Sequence, residues 1–266
     1  MDFCSIVAPE QRCNRHAARY GISNLQTFGS HGLRLTVEPS GGHNGARTSG
    51  IMDIENKRER LLLSSGVLSA VIYVATDLLA SLLYRGYSFR GQAVSELFAI
   101  GAPTSRWVAP LFSLCSVLLL AFAVGVWRAA GARRLVCALA LMFAGSAVIG
   151  LLLWNVFPMH MRGAERSFTD TMHLILATNP FVLLSLVFAI AAFRGRLRVY
   201  SAATAMIMLV SAVAAFSYAQ ALNMNQPTPW LGATERIAQY GYQVWQVVLA
   251  IVFLRSQIPR AEGRPQ

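Results

Sequence analysis

Asp170 and His173 are the two residues whose types and spacing are best suited to chemistry. If a helix begins near Thr169 they share one face, so the carboxylate can orient the imidazole or bind a metal beside it. His160 and Glu96 add a second imidazole and another carboxylate, a set that suits Zn²⁺ or a similar divalent ion. We therefore predict a metal site at His160, Asp170 and His173. A hydrogen-bond network or a proton relay remains open for the same residues, and Asp170 has a simpler role as a helix cap.

A second group of polar residues lies inside or beside apolar segments. Asp77 falls within an apolar run, where a charge costs about 2.5–3.5 kcal/mol on insertion scales, so it should face other helices and have a partner. We expect Arg236 to pair with Asp77 or Glu96. A substrate-binding group is predicted that comprises Asp77, Glu96, His173, Glu235, Arg236 and Gln239.

Polar side chains recur at every third or fourth position in two of the apolar runs, which predicts two polar stripes on helices. The two stripes should face each other or a shared cavity, and the alternative is that they only hydrogen-bond the helices together. The stripes are Ser69, Tyr73, Asp77, Ser81 and Tyr84 in one run, and Glu235, Gln239, Gln243 and Gln246 in the other.

The elements that must position these residues are long apolar segments. Hydrophobic residues make up 55% of the chain and charged residues 13%, against about 25% charged in soluble domains, which excludes a soluble fold. Six runs of about 20 residues are each long enough to cross a bilayer, and lipid leaves helices as the structure for them. The predicted fold is an all-α bundle of six transmembrane helices, at 61–84, 107–127, 135–157, 172–193, 199–221 and 236–254.

Basic residues near the ends of the spans predict the orientation of the bundle. Twelve lie on the side that carries both ends of the predicted domain and six on the other, so the positive-inside rule places both termini in the cytoplasm. The net charge of +11 is concentrated in the apolar part, which argues against nucleic acid as a partner. The expected location is a cell membrane, most simply the bacterial cytoplasmic membrane, with the lipid bilayer as the partner.

The chain divides by composition into a tail at 1–56, a membrane domain at 57–256 and a second tail at 257–266. The first tail is rich in Gly, Ser, Asn, His and Arg and is predicted to be disordered. Met52 opens a plausible alternative start, in which case residues 1–51 are not translated. The four cysteines have no spacing typical of a disulfide framework or a zinc ribbon.

Three local patterns bear on the predicted site. Asn179-Pro180 should kink the fourth span and open a pocket below His173. Gly145 and Ser146 favour close packing of helices. The segment 93–101 is apolar enough to lie at the interface or dip back into the bundle.

Several short motifs together resemble an uncharacterised prokaryotic membrane family catalogued as domain of unknown function 998. The resemblance covers about residues 60–255 and implies six spans but no activity. Its motifs are Ser95-Glu96-Leu97, Phe157-Pro158 with His160, His173, and Gly232-Ala-Thr-Glu-Arg236.

Three functions fit these patterns. The first is the binding or translocation of a small solute, a proton or a lipid headgroup in a polar vestibule at the outer face. The second is a metal-dependent intramembrane hydrolase that acts on a lipid ester or amide. The third is a structural or regulatory subunit with no site of its own. The uniformly apolar inner halves of the spans count against transport.

Overall fold

A computed structural model describes residues 43–224 and 226–256, with side chains described from residue 54 onward except at 219 and 223. The chain divides into two units, Met1–Ile51 and Met52–Gln266. In the described part, six helices are long and apolar enough to cross a membrane, and no strand occurs beyond an isolated bridge between Ile100 and His160. The predicted all-α, six-span fold is confirmed.

The described helices follow the predicted spans to within a few residues at most ends. They are α1 (His43–Leu83), the 3₁₀ helix η1 (Val94–Leu97), α2 (Ser105–Ala130), α3 (Arg134–Asn155), α4 (Phe168–Ala177), α5 (Pro180–Ala192), α6 (Arg196–Phe216), α7 (Ala219–Asn223) and α8 (Leu231–Ser256). The membrane-spanning part of α1 is Ile54–Leu83, and α4 with α5 forms the fourth span.

Of the predicted tail at 1–56, the structure describes residues 43–56, which belong to α1. The rest of the predicted disordered tail, at 1–42, and the predicted C-terminal tail at 257–266 lie outside the described residues.

The two ends of the bundle differ in their connections. At one end, which we call the short-turn end, tight turns at Gly131 and Gly195 join neighbouring spans; both glycines have positive φ, 56° and 63°, which other residues rarely adopt. At the other, the long-loop end, the connections 84–104 and 156–167 and residues 226–230 contact one another. The Ile100 N–H donates to the Met159 carbonyl at 2.8 Å, for example. Nearly all the predicted site residues belong to this end.

Small residues let the spans approach closely, as is common in membrane proteins. A methyl group on Gly125 of α2 would lie 3.1 Å from the backbone of α1 at Leu62, and one on Gly145 of α3 would lie 2.8 Å from the ring of Phe181 on α5. The packing role predicted for Gly145 is confirmed. These contacts fix how α1, α2, α3 and α5 surround the centre of the bundle.

The fourth span is broken at the predicted position. Asn179 has a φ of 27°, and Pro180 occupies the first turn of α5, where its missing N–H leaves no helix bond unmade. The half-helix α4 is thus a separate ten-residue piece. It forms one wall at the long-loop end.

Two clusters of buried side chains fill the bundle. The cluster nearer the short-turn end surrounds Phe122, Phe143 and Trp245. The other lies under the long-loop end around Leu97 and Phe112. Because Leu97 belongs to η1, the segment 93–101 dips back into the bundle, one of the two positions predicted for it.

Candidate functional site

Asp77 and Arg236 form a buried ion pair between α1 and α8. Arg236 donates from Nε and Nη2 to the two carboxylate oxygens of Asp77, each at 2.8 Å, and the Tyr240 hydroxyl also donates to Asp77. The two side chains are 3% and 0% exposed. A planar guanidinium fits a carboxylate in this two-bonded geometry. Of the two partners expected for Arg236, the structure selects Asp77.

The remaining N–H groups of Arg236 are also satisfied within the protein. Nη1 donates to the carbonyl of Phe89 at 2.7 Å, and Nη2 donates to the hydroxyl of Tyr87 at 2.7 Å. The guanidinium carbon lies 3.9 Å from the centre of the Phe89 ring, a cation–π contact. Burial raises the pKa of the Tyr87 phenol well above its usual value, with Arg236 opposing the shift. Arg236 therefore clamps the connection 84–104 onto two spans.

Glycine at position 232 makes this clamp possible. A methyl group there would lie 2.1 Å from the Gln92 carbonyl oxygen and 2.8 Å from Nη1 of Arg236. Moving the loop backbone to relieve such an overlap would cost a large amount of free energy. Only a residue without a side chain fits between α8 and the loop at this point.

Glu96 forms a second ion pair, with a residue that the sequence did not single out. Arg162 donates from Nη2 to Glu96 at 2.8 Å and from Nη1 to the hydroxyl of Thr228 at 2.9 Å. Thr228 donates in turn to the Gly91 carbonyl at 2.8 Å. The pair thus ties together the three long connections. Gln92 and the backbone N–H of Ala93 fill the remaining acceptor positions of Glu96.

His160 and Asp170 lie together at the start of α4. Asp170 accepts from the backbone N–H of His160 at 2.7 Å, its other oxygen lies 2.9 Å from His160 Nδ1, and the Ser167 hydroxyl donates to it at 2.7 Å. Ser167 is the N-cap of α4, and Asp170 accepts from its backbone N–H. The capping role considered for Asp170 is therefore present in the structure.

The same three residues are of the types found in a hydrolase triad, but their geometry differs. In such a triad the serine and the carboxylate contact different ring nitrogens of the histidine. Here the Ser167 hydroxyl, at 3.4 Å, and Asp170 both approach Nδ1 of His160. The arrangement fits a helix cap that holds the preceding loop.

His173 lies apart from that cap and points into the bundle. It is 1% exposed, and its Nδ1 is 2.8 Å from the Phe157 carbonyl. Because a carbonyl only accepts, Nδ1 carries the hydrogen and Nε2 is left as an acceptor. Among the described residues, no three His, Cys, Asp or Glu side chains are grouped so that they could hold a metal ion. The zinc-type site stays a prediction from the sequence.

A cavity of about 650 Å³ lies between the spans below the long-loop end, lined mainly by apolar side chains. His173, Glu235 and Gln239 are in its wall, together with Ser69 and Tyr73 of α1. Ser69 and Tyr73 of the first polar stripe thus share a cavity with all four residues of the second stripe. Asp77 and Ser81 of the first stripe contact Arg236 instead. From Glu235 to Gln246, both in the wall, the cavity follows α8 for about 16 Å.

Glu235 is the ionisable group in this wall that has no counter-charge. One of its oxygens accepts from the Val94 N–H at 3.0 Å. No cationic group lies within ion-pair distance of it in the part of the chain that the structure describes. Two buried acceptors in the same wall, Oδ1 of Asn179 and Oε1 of Gln243, have no hydrogen-bond partner.

Sequence reasoning missed Arg162, Tyr87 and Ser167. Arg162 carried a weak signal, since it is one of two arginines, with Arg166, in the same loop as His160 and Glu165. Loops have no periodicity that predicts which side chains pair. Ser167 precedes Asp170 by three positions, the spacing of a capping box with Asp in place of Glu. Tyr87 lies in a polar loop with no distinguishing pattern.

Comparison with known proteins adds a family and no activity. A family model described as "Protein of unknown function (DUF998)" matches residues 67–252. No curated protein and no solved structure matches the chain. The matched stretch contains both ion pairs, the α4 cap and the cavity wall.

Proposed function

The chain belongs to the DUF998 family of proteins of unknown function, and because this membership brings no activity with it, we propose a function from the geometry: the protein binds an amphipathic molecule in its intramembrane cavity. The polar head of the ligand lies near His173 and Glu235, and its apolar chain extends along α8 against Leu119 and Met208.

The observation that carries the proposal is the mixed character of the cavity wall. Ligand pockets of about 300–1,000 Å³ combine apolar walls with a few polar groups that fix orientation, and this cavity of about 650 Å³ has that composition. Its length of about 16 Å along α8 is roughly half of a 30 Å hydrocarbon core. A ligand that fills it therefore has the length of one lipid leaflet.

Exposure of the surrounding helices supports entry from the bilayer. Val213 and Phe216 of α6 are in the cavity wall and are also 65% and 75% exposed. Because these side chains are both exposed and part of the wall, the cavity extends to the surface of the bundle at α6. A molecule already dissolved in lipid can enter the cavity there.

The packed half of the bundle favours binding over translocation. Phe122, Phe143 and Trp245 fill the space toward the short-turn end and are fully buried. A transported solute would need a second route through this cluster. We therefore propose a binding protein for a lipid-like molecule, with translocation and metal-dependent hydrolysis as the less supported alternatives.

Photoaffinity labelling tests the proposal. Hexadecylamine and hexadecanol probes with a mid-chain diazirine are added to the protein in phosphatidylcholine nanodiscs, and the labelled residues are mapped by mass spectrometry. We expect at least one probe to label Leu119 or Met208 saturably, with competition by its unlabelled analogue. The proposal would be refuted if both probes labelled only exposed, lipid-facing residues such as Val199 and if this labelling did not saturate.

A pair of substitutions on α8 provides the matched control. Ala238→Trp fills the cavity, because Ala238 is in its wall, and should abolish the saturable labelling. Val244→Trp adds the same side chain at a 57% exposed position outside that wall and should leave the labelling intact. Equal loss in both variants would show that the effect is not specific to the cavity.

A further inference from the structure

We propose that the head group recognised in this cavity is a protonated amine, held by Glu235; the inference rests on the proposed binding function and specifies its ligand. The ligand that we propose has a cationic head group with several N–H donors and an apolar chain. The charge balance of the site, the hydrogen-bonding character of its wall and the shape of the cavity support it.

The charge balance leaves Glu235 as the carboxyl group that a ligand in the cavity can reach, because it is the acidic side chain among the cavity-lining residues that the structure describes. Arg236 is engaged by Asp77 and by backbone carbonyls, and Arg162 is engaged by Glu96. Asp170 has His160 and three bonds from Ser167 and the backbone. Glu235 has a single bond, from a backbone N–H. A carboxyl group buried in a membrane domain stays ionised when a partner compensates its charge, and a ligand cation would provide that partner.

Arg236 does not serve as that partner, although it is the next residue in the chain. Its Nε and Nη2 point at Asp77, and Nη1 points at the Phe89 and Gln92 carbonyls. Successive residues of a helix point about 100° apart, so the two side chains leave α8 in different directions. Glu235 faces the cavity and Arg236 faces the loop.

Other polar atoms of the cavity wall are hydrogen-bond acceptors that have no donor beside them. His173 presents Nε2 as an acceptor because Nδ1 donates to Phe157. A primary ammonium carries three donors and no acceptor, whereas a carboxylate or phosphate head carries only acceptors. Glu235 and Nε2 of His173 therefore complement a donor-rich, positively charged head. The buried oxygens of Asn179 and Gln243 also lack a donor within the described residues, but Gln243 lies about 12 Å from Glu235 along α8 and is not part of the head site.

The apolar walls select a long-chain amine over a small free one. Phe98, Phe112 and Leu153 lie along the same cavity as Glu235, and each buried CH₂ contributes about 0.8 kcal/mol by transfer. A short amine has the charge but leaves this surface unfilled. The ligand class is consequently a single-chain amine of lipid length.

Competition against the photolabelled hexadecylamine tests the inference. The competitors share one chain and differ in head group: hexadecylamine, hexadecanol and palmitate, with butylamine as the short-chain control. We expect hexadecylamine to compete at a concentration at least about tenfold lower than hexadecanol, since bonds to charged groups are worth more than neutral ones. Palmitate and butylamine should compete weakest.

Two glutamine variants test whether Glu235 is the residue that makes the protein prefer the amine over the alcohol. Glu235→Gln removes the charge at nearly constant shape and should bring amine and alcohol to within about threefold of each other. Glu165→Gln removes a charge from an exposed loop position and should keep the tenfold ratio. Because each ratio compares probes on one protein, differences in their partition into lipid cancel between variants.

The outcomes separate the two proposals. If hexadecanol competes as well as hexadecylamine on the unmodified protein, or if Glu235→Gln keeps the full discrimination, the amine inference is overturned while cavity binding stands. If butylamine matches hexadecylamine, the site recognises a free amine and the lipid-length ligand is overturned. If neither photoprobe labels the cavity saturably, the binding function itself is refuted. Should Glu235→Gln fail to fold, the ratio on the unmodified protein remains decisive.

Discussion

Asp77→Asn tests the role of the buried ion pair most directly. The substitution keeps the size of the side chain and removes its charge, which leaves the Arg236 guanidinium buried without a counter-ion. Asp77 accepts two bonds from Arg236 and one from Tyr240. An asparagine offers one oxygen in place of two and directs an NH₂ group at the guanidinium.

The expected loss of stability is large because both partners are almost fully buried. Removing one member of a buried pair costs about 3–5 kcal/mol, since the other charge is left without compensation. For a domain of this size, 1 kcal/mol corresponds to about 2–4 °C in melting temperature. Asp77→Asn should therefore lower the melting temperature by roughly 6–20 °C.

A double-mutant cycle separates the ion pair from general packing loss. Arg236→Met removes the cation, and the combined variant has neither charge. If the pair accounts for the cost, the double variant loses about 2–3 kcal/mol less than the sum of the two single losses. Additive losses would contradict the pair as the source of stability.

Thermal unfolding in detergent, followed by tryptophan fluorescence and by recovery of monodisperse protein, measures these effects. Glu165→Gln is the control, because it removes a carboxylate from an exposed position. A shift of less than about 2 °C is expected for it, as for most surface changes. If Asp77→Asn shifts no further than this control, Arg236 does not depend on Asp77.

Three further outcomes follow from the fold. Gly232→Ala should abolish folded protein because its methyl group would overlap the loop backbone, while Gly241→Ala on the same helix, where a methyl group meets nothing, should be neutral or stabilising by up to about 1 kcal/mol; equal yields of both would contradict the close contact. Glu96→Gln should speed tryptic cleavage after Arg162 in a time course analysed by mass spectrometry, since it removes that arginine's ion pair; an unchanged rate would mean that the pair does not hold the loop. Reporter fusions at the C-terminus should place it in the cytoplasm, as the basic residues predict; an external reporter signal would reverse the orientation.

The sequence allowed the spans to be predicted because lipid imposes a simple requirement. Every backbone group in the hydrocarbon must be bonded within a helix, so length and hydropathy alone locate the six spans. The break at Asn179 was also predictable, since proline cannot continue a helix without losing a bond.

The contents of the site were predictable in part. Asp77 needed a partner at its depth, and it was one of the two carboxylates that were expected to pair with Arg236. By contrast, the partner of Glu96 is Arg162, and this contact depends on how two irregular loops fold over each other. Helical periodicity says nothing about such loops, because their side chains follow no repeat.

The histidines show a further limit of residue type as evidence. His160 and His173 suggested a shared metal, but the structure turns His160 toward the cap of α4 and His173 toward the Phe157 carbonyl. In each case Nδ1 of the ring is paired with an oxygen of the protein. Residue type restricts the possible chemistry, and orientation selects among the options.

The interruption of the fourth span has a mechanical consequence. Because α4 ends at Ala177 and α5 begins at Pro180, the ten-residue half-helix is linked to the rest of its span by two backbone positions rather than by a ladder of helix hydrogen bonds. The direction of α4 is therefore set independently of α5, and the Asn179 side chain fixes the break by donating to the Ser146 hydroxyl of α3 at 3.0 Å. The membrane domain thus carries its buried His173 on a separately oriented half-helix, while the other half of the bundle is tightly packed with aromatic rings.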